Sequence, residues 1–162
     1  MATTTADAIR DRALTVIEAL TPDSLSETKY IRYRNEGDGK FEPWADANPV
    51  AAFRRVQVRT RGTDETPESS NHDVETHFLE LEVRVAYPMT HRYGPDNALD
   101  RDDVIEQDRH RIETAIGLRG AANFAGSYPD ATWRGGECSR EPGVACDFLV
   151  IRQRMSYART MT

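Results

Sequence analysis

The stretch of sequence that decides the fold reads Thr76-His-Phe-Leu-Glu-Leu-Glu-Val-Arg-Val-Ala-Tyr87. One set of its alternate positions is mainly apolar and comprises His77, Leu79, Leu81, Val83, Val85 and Tyr87. The other set carries the charges and comprises Phe78, Glu80, Glu82, Arg84 and Ala86. Because successive side chains of a strand point to opposite faces of a sheet, this alternation predicts a strand with one buried and one hydrated face. At ~3.3 Å per residue such a strand spans roughly 40 Å, so it needs neighbouring strands and a covering layer.

A first amphipathic helix is predicted over residues 5–20. Thr5 is a suitable N-cap, because its hydroxyl can accept a hydrogen bond from the first turn. Apolar residues recur at helical spacing and form one stripe: Ile9, Ala13, Val16, Ile17 and Leu20. The helix is therefore expected to cover one face of the sheet.

A second helix is predicted over residues 101–116. Asp100 is expected to cap it, since the positive end of the helix dipole favours an acidic residue. Gly117 follows the last apolar residue and is expected to end the helix. Asp108 interrupts the apolar stripe, so we expect its side chain at the margin of the buried surface.

Further strands are predicted over residues 28–34, 53–60, 131–134 and 147–157. Helix, strands, helix and strands in this order predict an α+β fold: a mostly antiparallel sheet of four or more strands, with the two helices packed on one face. We expect residues 1–162 to form a single domain.

Residues 61–73 are polar, contain Gly and Pro, and have no apolar side chain to anchor them. They are predicted to form an exposed, flexible hairpin arm. The two interpretations of this arm are an inert loop and a segment that becomes ordered against a partner.

Composition limits the class of protein. The chain has 162 residues and a net charge of −6, which argues against a dedicated nucleic-acid-binding protein. No apolar run reaches the ~20 residues of a membrane span, and no secretory signal begins the chain, so we expect a cytoplasmic product. Cys138 and Cys146 are expected to be reduced there, although a disulfide across a hairpin is an open alternative.

The sequence contains no recognisable catalytic motif. The sequence has no glycine-rich phosphate cradle with its lysine and no Gly-x-Ser-x-Gly elbow. His72 and His77 have a spacing that zinc sites use, but Cys138 and Cys146 do not. We therefore predict no catalytic, cofactor-binding or metal-binding residue, and no cofactor.

The most distinctive feature left is a set of charged strand residues, which comprises Arg54, Arg55, Arg59, Arg61, Glu80, Glu82, Arg84, Arg152 and Arg154. One interpretation is that the glutamates and arginines pair with each other across neighbouring strands of a hydrated face. The other is that this face contacts another subunit, since arginine is enriched in protein interfaces.

The layout of these elements resembles the tail-terminator proteins of long-tailed bacteriophages, the family that caps the tail tube. The resemblance rests on the helix at 5–20, the strand at 53–59 with its polar hairpin arm, the longer strand at 76–87, the helix that starts with Asp100-Arg-Asp-Asp-Val, and the closing hairpin at 131–158. It covers most of the chain and contains no catalytic signature.

The resemblance implies a structural function without chemistry. Such a protein would form a homohexameric ring on the tail tube protein, end tube polymerisation and receive the head-completion or connector protein. DNA would pass through the ring without sequence-specific binding, and the protein would reside in the host cytoplasm and then in the virion. The 61–73 arm and the arginine-bearing strands would contact the neighbouring subunit or the tube. Alternatives are another head–tail joining protein, or a small enzyme or ligand-binding domain with a pocket lined by Trp44, Tyr87, Tyr93 and Trp133.

Overall fold

The alternating strand lies inside a β-sheet that carries two helices on one face. The computed structural model describes residues 5–33, 41–43, 52–63, 66–71, 74–89, 93, 97–117, 131–143 and 145–160. Its elements follow the order α1 (Ala6–Glu18), β1 (Ile31–Arg32), β2 (Arg55–Gly62), β3 (Glu68–Asn71), β4 (Val74–Pro88), α2 (Asn97–Ile116), β5 (Ala131–Pro142) and β6 (Cys146–Thr160). The predicted α+β class with a mostly antiparallel sheet is confirmed.

β4 has partners along both of its edges. The strand order is β1-β2-β4-β6-β5, and β3 pairs with β4 beyond the end of β2. β4 and β6 pair over 15 residues each, from Val74↔Thr160 to Pro88↔Cys146. β1 runs parallel to β2, and the other strand pairs described are antiparallel.

The main hydrophobic core lies between the sheet and the helices. β4 and β6 contribute alternate residues to it: Leu79, Leu81, Val83, Val85, Tyr87, Leu149, Ile151, Met155 and Tyr157. The helices close over them with Ile9, Ala13, Ile17, Val104, Ile105, Ile112 and Ile116. Burial of each large aliphatic side chain contributes about 1.5–3 kcal/mol, so this face supplies most of the driving force for folding.

The structure confirms the first predicted helix. The Thr5 hydroxyl accepts a hydrogen bond from the Ala8 N–H at 3.1 Å, and Asp7 lies in the first turn, as the helix dipole favours. The helix ends at Glu18, two residues earlier than predicted.

The second helix is longer than predicted. It begins at Asn97, so Asp100 lies within the first turn and is not the N-cap. It ends at Ile116, directly before Gly117, as expected. Asp108 is completely buried, so the expectation that it lies at the margin of the core is wrong.

Strand boundaries differ most where the sequence is polar or glycine-rich. β2 continues to Gly62 and β3 forms within the predicted hairpin arm, because pairing with the backbone of β4 requires no apolar side chain. Residues 72–73, between β3 and β4, lie outside the described part. The predicted mobility of the arm stays a prediction. Around Ile31–Arg32, β1 is much shorter than the predicted strand at 28–34.

β5 continues through the pair Gly135-Gly136, beyond the predicted end of the strand at residue 134. The register shifts between Trp133 and Gly135, and Gly135 has a φ of +139°, which glycine adopts without a steric penalty. Arg134 and Gly135 therefore form a β-bulge, and the strand extends to Pro142.

The opposite face of the sheet is apolar at one end. A second buried cluster lies there and comprises Ala52, Ala86, Cys146, Phe148 and Val150. The Phe41 ring packs on it, with its centroid 5.6 Å from that of Phe148. Beyond this cluster the same face becomes charged.

Candidate functional site: a charged sheet face

Strand alternation directs a set of mainly charged side chains away from the helices. We call this set the open face, and it comprises Arg55, Gln57, Arg59, Arg61, Phe78, Glu80, Glu82, Arg84, Arg134, Glu137, Glu141, Arg152 and Arg154. One register row crosses four strands in the order Arg59, Glu82, Arg152, Glu137. In the next row Glu80 lies between Arg61 and Arg154. Opposite charges thus alternate across the strands, as favourable cross-strand pairing requires.

Glu82 is the centre of the open face. Its carboxylate is completely buried, because arginines from both neighbouring strands close over it. Arg59 Nη2 donates to Oε1 at 2.7 Å, Arg152 Nε donates to Oε2 at 3.1 Å, and Arg61 lies 3.5 Å from Oε2. Burial by itself would raise the pKa of the Glu82 carboxyl, but the hydrogen bonds from Arg59 and Arg152 and the charges of Arg61 and Arg59 lower it overall.

The ion pairs extend from Glu82 to the edge strand. Arg152 also lies 3.7 Å from Glu137 and 3.5 Å from Glu141. Arg84 Nη2 donates to the other oxygen of Glu141 at 2.7 Å, and its guanidinium lies 5.3 Å from the centre of the Phe148 ring. The charged network therefore ties β4, β6 and β5 together and ends on the apolar cluster.

A groove opens where β5 bulges. It has a volume of about 270 Å³ and is lined by Glu80, Arg134, Gly135, Gly136, Glu137, Arg152 and Arg154. The Arg134 guanidinium lies 4.5 Å from the centre of the Phe78 ring, a cation–π distance. Arg154 is exposed and forms no ion pair with the side chains that the structure describes. The groove thus presents arginine donors to the surface.

Most of the predicted interface residues come together on the open face, and these are Arg55, Arg59, Arg61, Glu80, Glu82, Arg84, Arg152 and Arg154. The structure shows ion pairs between these residues within one sheet, whereas contact with another subunit stays a prediction. Glu137 and Glu141 were not predicted as site residues, because the strand was predicted to end at residue 134, and Arg134 joins the open face only through the register shift before Gly135. The alternation of Glu137, Ser139 and Glu141 was the available signal.

Arg54 does not lie on the open face, and its prediction as an interface residue is wrong. Its φ of +56° is left-handed, which takes it out of the alternation directly before β2. Its N–H bonds the Ala86 carbonyl at 2.9 Å and its own carbonyl accepts from the Ile31 N–H at 3.1 Å, so the backbone fixes this turn between two strands. The side chain consequently enters the core.

The buried Arg54 guanidinium uses all of its donors. It binds both carboxylate oxygens of Asp108, through Nε at 2.7 Å and Nη2 at 3.0 Å. Its other hydrogen bonds go to the carbonyls of Ser24 at 2.7 Å, Leu25 at 2.8 Å and Thr28 at 2.9 Å. A buried arginine is tolerated in such a setting because its charge is paired and every N–H is satisfied.

Two tyrosines complete the surroundings of Asp108. The hydroxyl of Tyr30 donates to Oδ1 at 2.8 Å and that of Tyr87 donates to Oδ2 at 2.7 Å. Burial, and then the negative charge of Asp108, raise the pKa of both phenols well above the ordinary tyrosine value. All of these side chains are inaccessible, so the network joins α2, the sheet and the Ser24–Thr28 loop and offers no site to a substrate.

The pocket suggested by four aromatic residues does not assemble among the described ones. Tyr87 and Tyr93 lie in the main core, and each packs against Phe53, at ring distances of 6.0 and 5.6 Å. Trp133 lies elsewhere, on β5, and Trp44 is outside the described residues.

Trp133 instead lines a shallow groove at the end of α2. The groove has a volume of about 390 Å³ and is bordered by His110, Glu113, Thr114, Gly117, Trp133, Gly136 and Gln153. Trp133 Nε1 donates to the buried Gln153 Oε1. A Cβ on Gly136 would lie 2.6 Å from the same oxygen, so the glycine makes room for the amide.

The cysteines are free and lie on opposite faces of the β5–β6 hairpin. Cys138 is opposite Ile151 and packs against the main core, whereas Cys146 belongs to the second cluster. A disulfide between them is therefore excluded in this fold. Burial raises the pKa of both thiols, that of Cys146 to about 11, so both are protonated at neutral pH.

The described residues contain no group of three or more His, Cys, Asp or Glu side chains arranged to hold a metal ion. His77 binds Glu75 at 2.9 Å and stacks on Tyr157, and His72 is outside the described part. Neither described helix is long and apolar enough to span a membrane. Comparison of the chain with protein-family models and with curated proteins finds no match.

Proposed function

We propose that this protein is a structural subunit of a phage tail, a terminator that ends growth of the tail tube and joins it to the head-completion protein as a ring. The observation that carries the proposal is the order α1, β2, β4, α2, β5, β6, which is the layout on which the resemblance rests. The open face supports it further, because an extended surface of paired charges suits reversible protein contact better than chemistry.

The charge of the chain also suits this role. Six copies at −6 each would carry a formal charge of −36, so phosphate groups would be repelled from acidic parts of a bore. DNA could then pass without binding to the ring.

Tube growth in the presence of the protein tests the proposal. The cognate tail tube protein is polymerised with increasing amounts of this protein, and tube lengths are measured by negative-stain electron microscopy. We expect the mean length to fall as the protein is added, with a ring visible at one tube end. Unchanged lengths and bare ends at a molar excess would contradict the proposal. If the protein binds the head-completion protein but not the tube, it is a head–tail joining protein instead.

A second candidate function is binding of a small polar ligand, and the groove beside Trp133 and Gln153 favours it. Gln153 is buried, and its Oε1 is held by Trp133, which leaves the amide N–H₂ as a fixed donor. Ligand screening by thermal shift, with Gln153→Leu as the control, tests this function. A ligand that stabilises the wild-type chain and not the variant would support it.

A further inference from the structure

We infer that the open face docks on the outer, acidic side of α2 in a second copy of this chain, so that subunits associate head to tail. This contact would join the subunits of the ring in the proposed function. Only the closure into a ring rests on that proposed function. The distribution of charge on one subunit supports the contact itself.

The subunit is electrostatically asymmetric. The open face carries seven arginines and four glutamates, a formal charge of +3, and they are Arg55, Arg59, Arg61, Arg84, Arg134, Arg152, Arg154, Glu80, Glu82, Glu137 and Glu141. Because the whole chain carries −6, the remaining residues carry −9, which is −6 less +3. A basic surface on an acidic chain has its complement on another copy of the same chain.

The outer side of α2 is an acidic surface. Asp102, Asp103 and Glu106 are exposed there, within about one turn of the helix. Asp102 pairs with Arg140 and Glu106 with Arg109, whereas Asp103 forms no ion pair with the side chains that the structure describes. Asp103 is therefore the carboxylate best able to accept a new arginine.

The groove on the open face suits a carboxylate. Arg154 is exposed at its rim, and Arg134, which lies above the Phe78 ring, lines the same groove. A guanidinium binds a carboxylate through two parallel N–H donors, which gives direction as well as energy.

The placement of the two surfaces decides the type of association. The helices cover one face of the sheet and the open face is the other, so the basic and acidic surfaces point in opposite directions. Two open faces at +3 each would repel, which disfavours a symmetric dimer through this surface. Head-to-tail contact through two different surfaces continues from copy to copy and closes into a ring when the rotation permits.

Nucleic acid is the less suitable occupant of the open face. Glutamates occur in both charged rows, and Glu80 and Glu137 border the groove itself, where they would repel phosphate. A mixed pattern of both charges matches a protein surface better than a uniformly negative backbone.

Charge inversion on each surface tests the inference. We compare the wild-type chain with Arg154→Glu, with Asp103→Arg and with an equimolar mixture of the two variants, by sedimentation equilibrium over a concentration series. Lys29→Glu is the matched control, because it makes the same change in charge as Arg154→Glu at a lysine outside both surfaces. Circular dichroism establishes that each variant is folded.

We expect each single variant to associate at least about tenfold more weakly than the wild-type chain. The mixture should recover wild-type affinity, because the glutamate introduced into one variant meets the arginine introduced into the other, and each variant retains its second native surface. The control should be unchanged, and about 0.5 M salt should weaken wild-type association, since exposed charge pairs are screened.

Several results would overturn the inference. These are unchanged association of either variant, failure of the mixture to recover, or a wild-type chain that remains monomeric at all concentrations and at low salt. Loss of duplex-DNA binding in Arg154→Glu with unchanged self-association would assign the face to nucleic acid.

The tube-length experiment distinguishes failure of this contact from failure of the proposed function. If variants that no longer associate still shorten tubes, the proposed function stands without this contact. If the mixture of variants recovers association but has no effect on tube length, the contact stands and the proposed function is contradicted.

Discussion

Among the residues that the structure describes, two carboxylates, those of Glu82 and Asp108, are completely buried, and each is paired with arginine. Their settings differ. Asp108 and Arg54 are inaccessible together, whereas Glu82 is covered by arginines that are themselves partly exposed, such as Arg59 at 39% and Arg152 at 23%. Removal of the Asp108 charge therefore leaves the Arg54 charge buried without a counter-ion, whereas removal of the Glu82 charge leaves arginines that water can reach.

At Asp108, the change to Asn should be strongly destabilising. It leaves the Arg54 charge buried without a counter-ion, and we expect the free energy of unfolding to fall by about 3–5 kcal/mol. Urea denaturation followed by circular dichroism measures it. Asp103→Asn, on the exposed side of the same helix, is the control and should change stability by less than about 0.5 kcal/mol. Equal effects of the two changes would show that the buried network contributes nothing specific.

At Glu82, the change to Gln should act in a pH-dependent way. The folded-state pKa of Glu82 is lowered from its ordinary value of 4.5, so its stabilising effect is complete above that pH and is lost as the pH falls through the lower folded value. We expect the variant to be about 2 kcal/mol less stable at neutral pH, with the difference shrinking as the pH falls below the ordinary value of 4.5. Unfolding free energies of both proteins across this range provide the check. A constant difference would mean that the Glu82 charge is not what stabilises the open face.

At the scale of the elements, two glycines at strand ends differ in the space available for a side chain. A Cβ on Gly143 would overlap the Cys146 carbonyl oxygen in the turn between β5 and β6, where the backbone cannot move aside. A Cβ on Gly62, at the end of β2, would have nothing within 4 Å. The first glycine is therefore a requirement of the hairpin and the second is not.

Gly143→Ala should accordingly lower the free energy of unfolding by about 1–3 kcal/mol through strain in the β5–β6 turn. Gly62→Ala should be neutral or slightly stabilising, because it restricts the unfolded chain without a clash. Thermal and urea denaturation of the two variants distinguish these outcomes. If Gly143→Ala were as stable as Gly62→Ala, the turn would have to relax freely, and the edge strand β5 would not depend on its geometry.

The sequence predicted those elements whose side chains repeat with a regular period. The alternation of Leu79 to Tyr87 predicted β4, and the same reasoning gave the inner face of β6 and the core stripe of α1. It failed for Arg54, since a left-handed turn breaks the alternation and no composition signal marks it. It also missed β3 and most of β5, where backbone pairing and a glycine bulge form the strand without an apolar pattern.

The candidate site was predictable in part for the same reason. The charged positions of β2, β4 and β6 follow from alternation, but the row that joins them depends on register, which long-range pairing determines. Glu137 and Glu141 entered the site only with β5. Asp108 was visible as a polar interruption of an apolar stripe, yet its partner lies 54 residues earlier in the chain and could not be identified from spacing.

For the whole molecule, the strand order predicts how the structure opens. β4 lies between β2 and β6, and its residues 81–85 are covered by the helices on one side and by the charged network on the other. β3 is a short strand whose described pairing is to β4 alone. We expect amides of Leu81–Val85 to exchange only through global unfolding, and those of Glu68–Asn71 at least about 100-fold faster through local opening. Native-state hydrogen exchange measures both, with the matching residues 149–151 of β6 as an internal reference for global unfolding. Equal protection of β3 and β4 would mean that the polar hairpin folds with the core, and the flexible arm predicted for residues 61–73 would then be wrong.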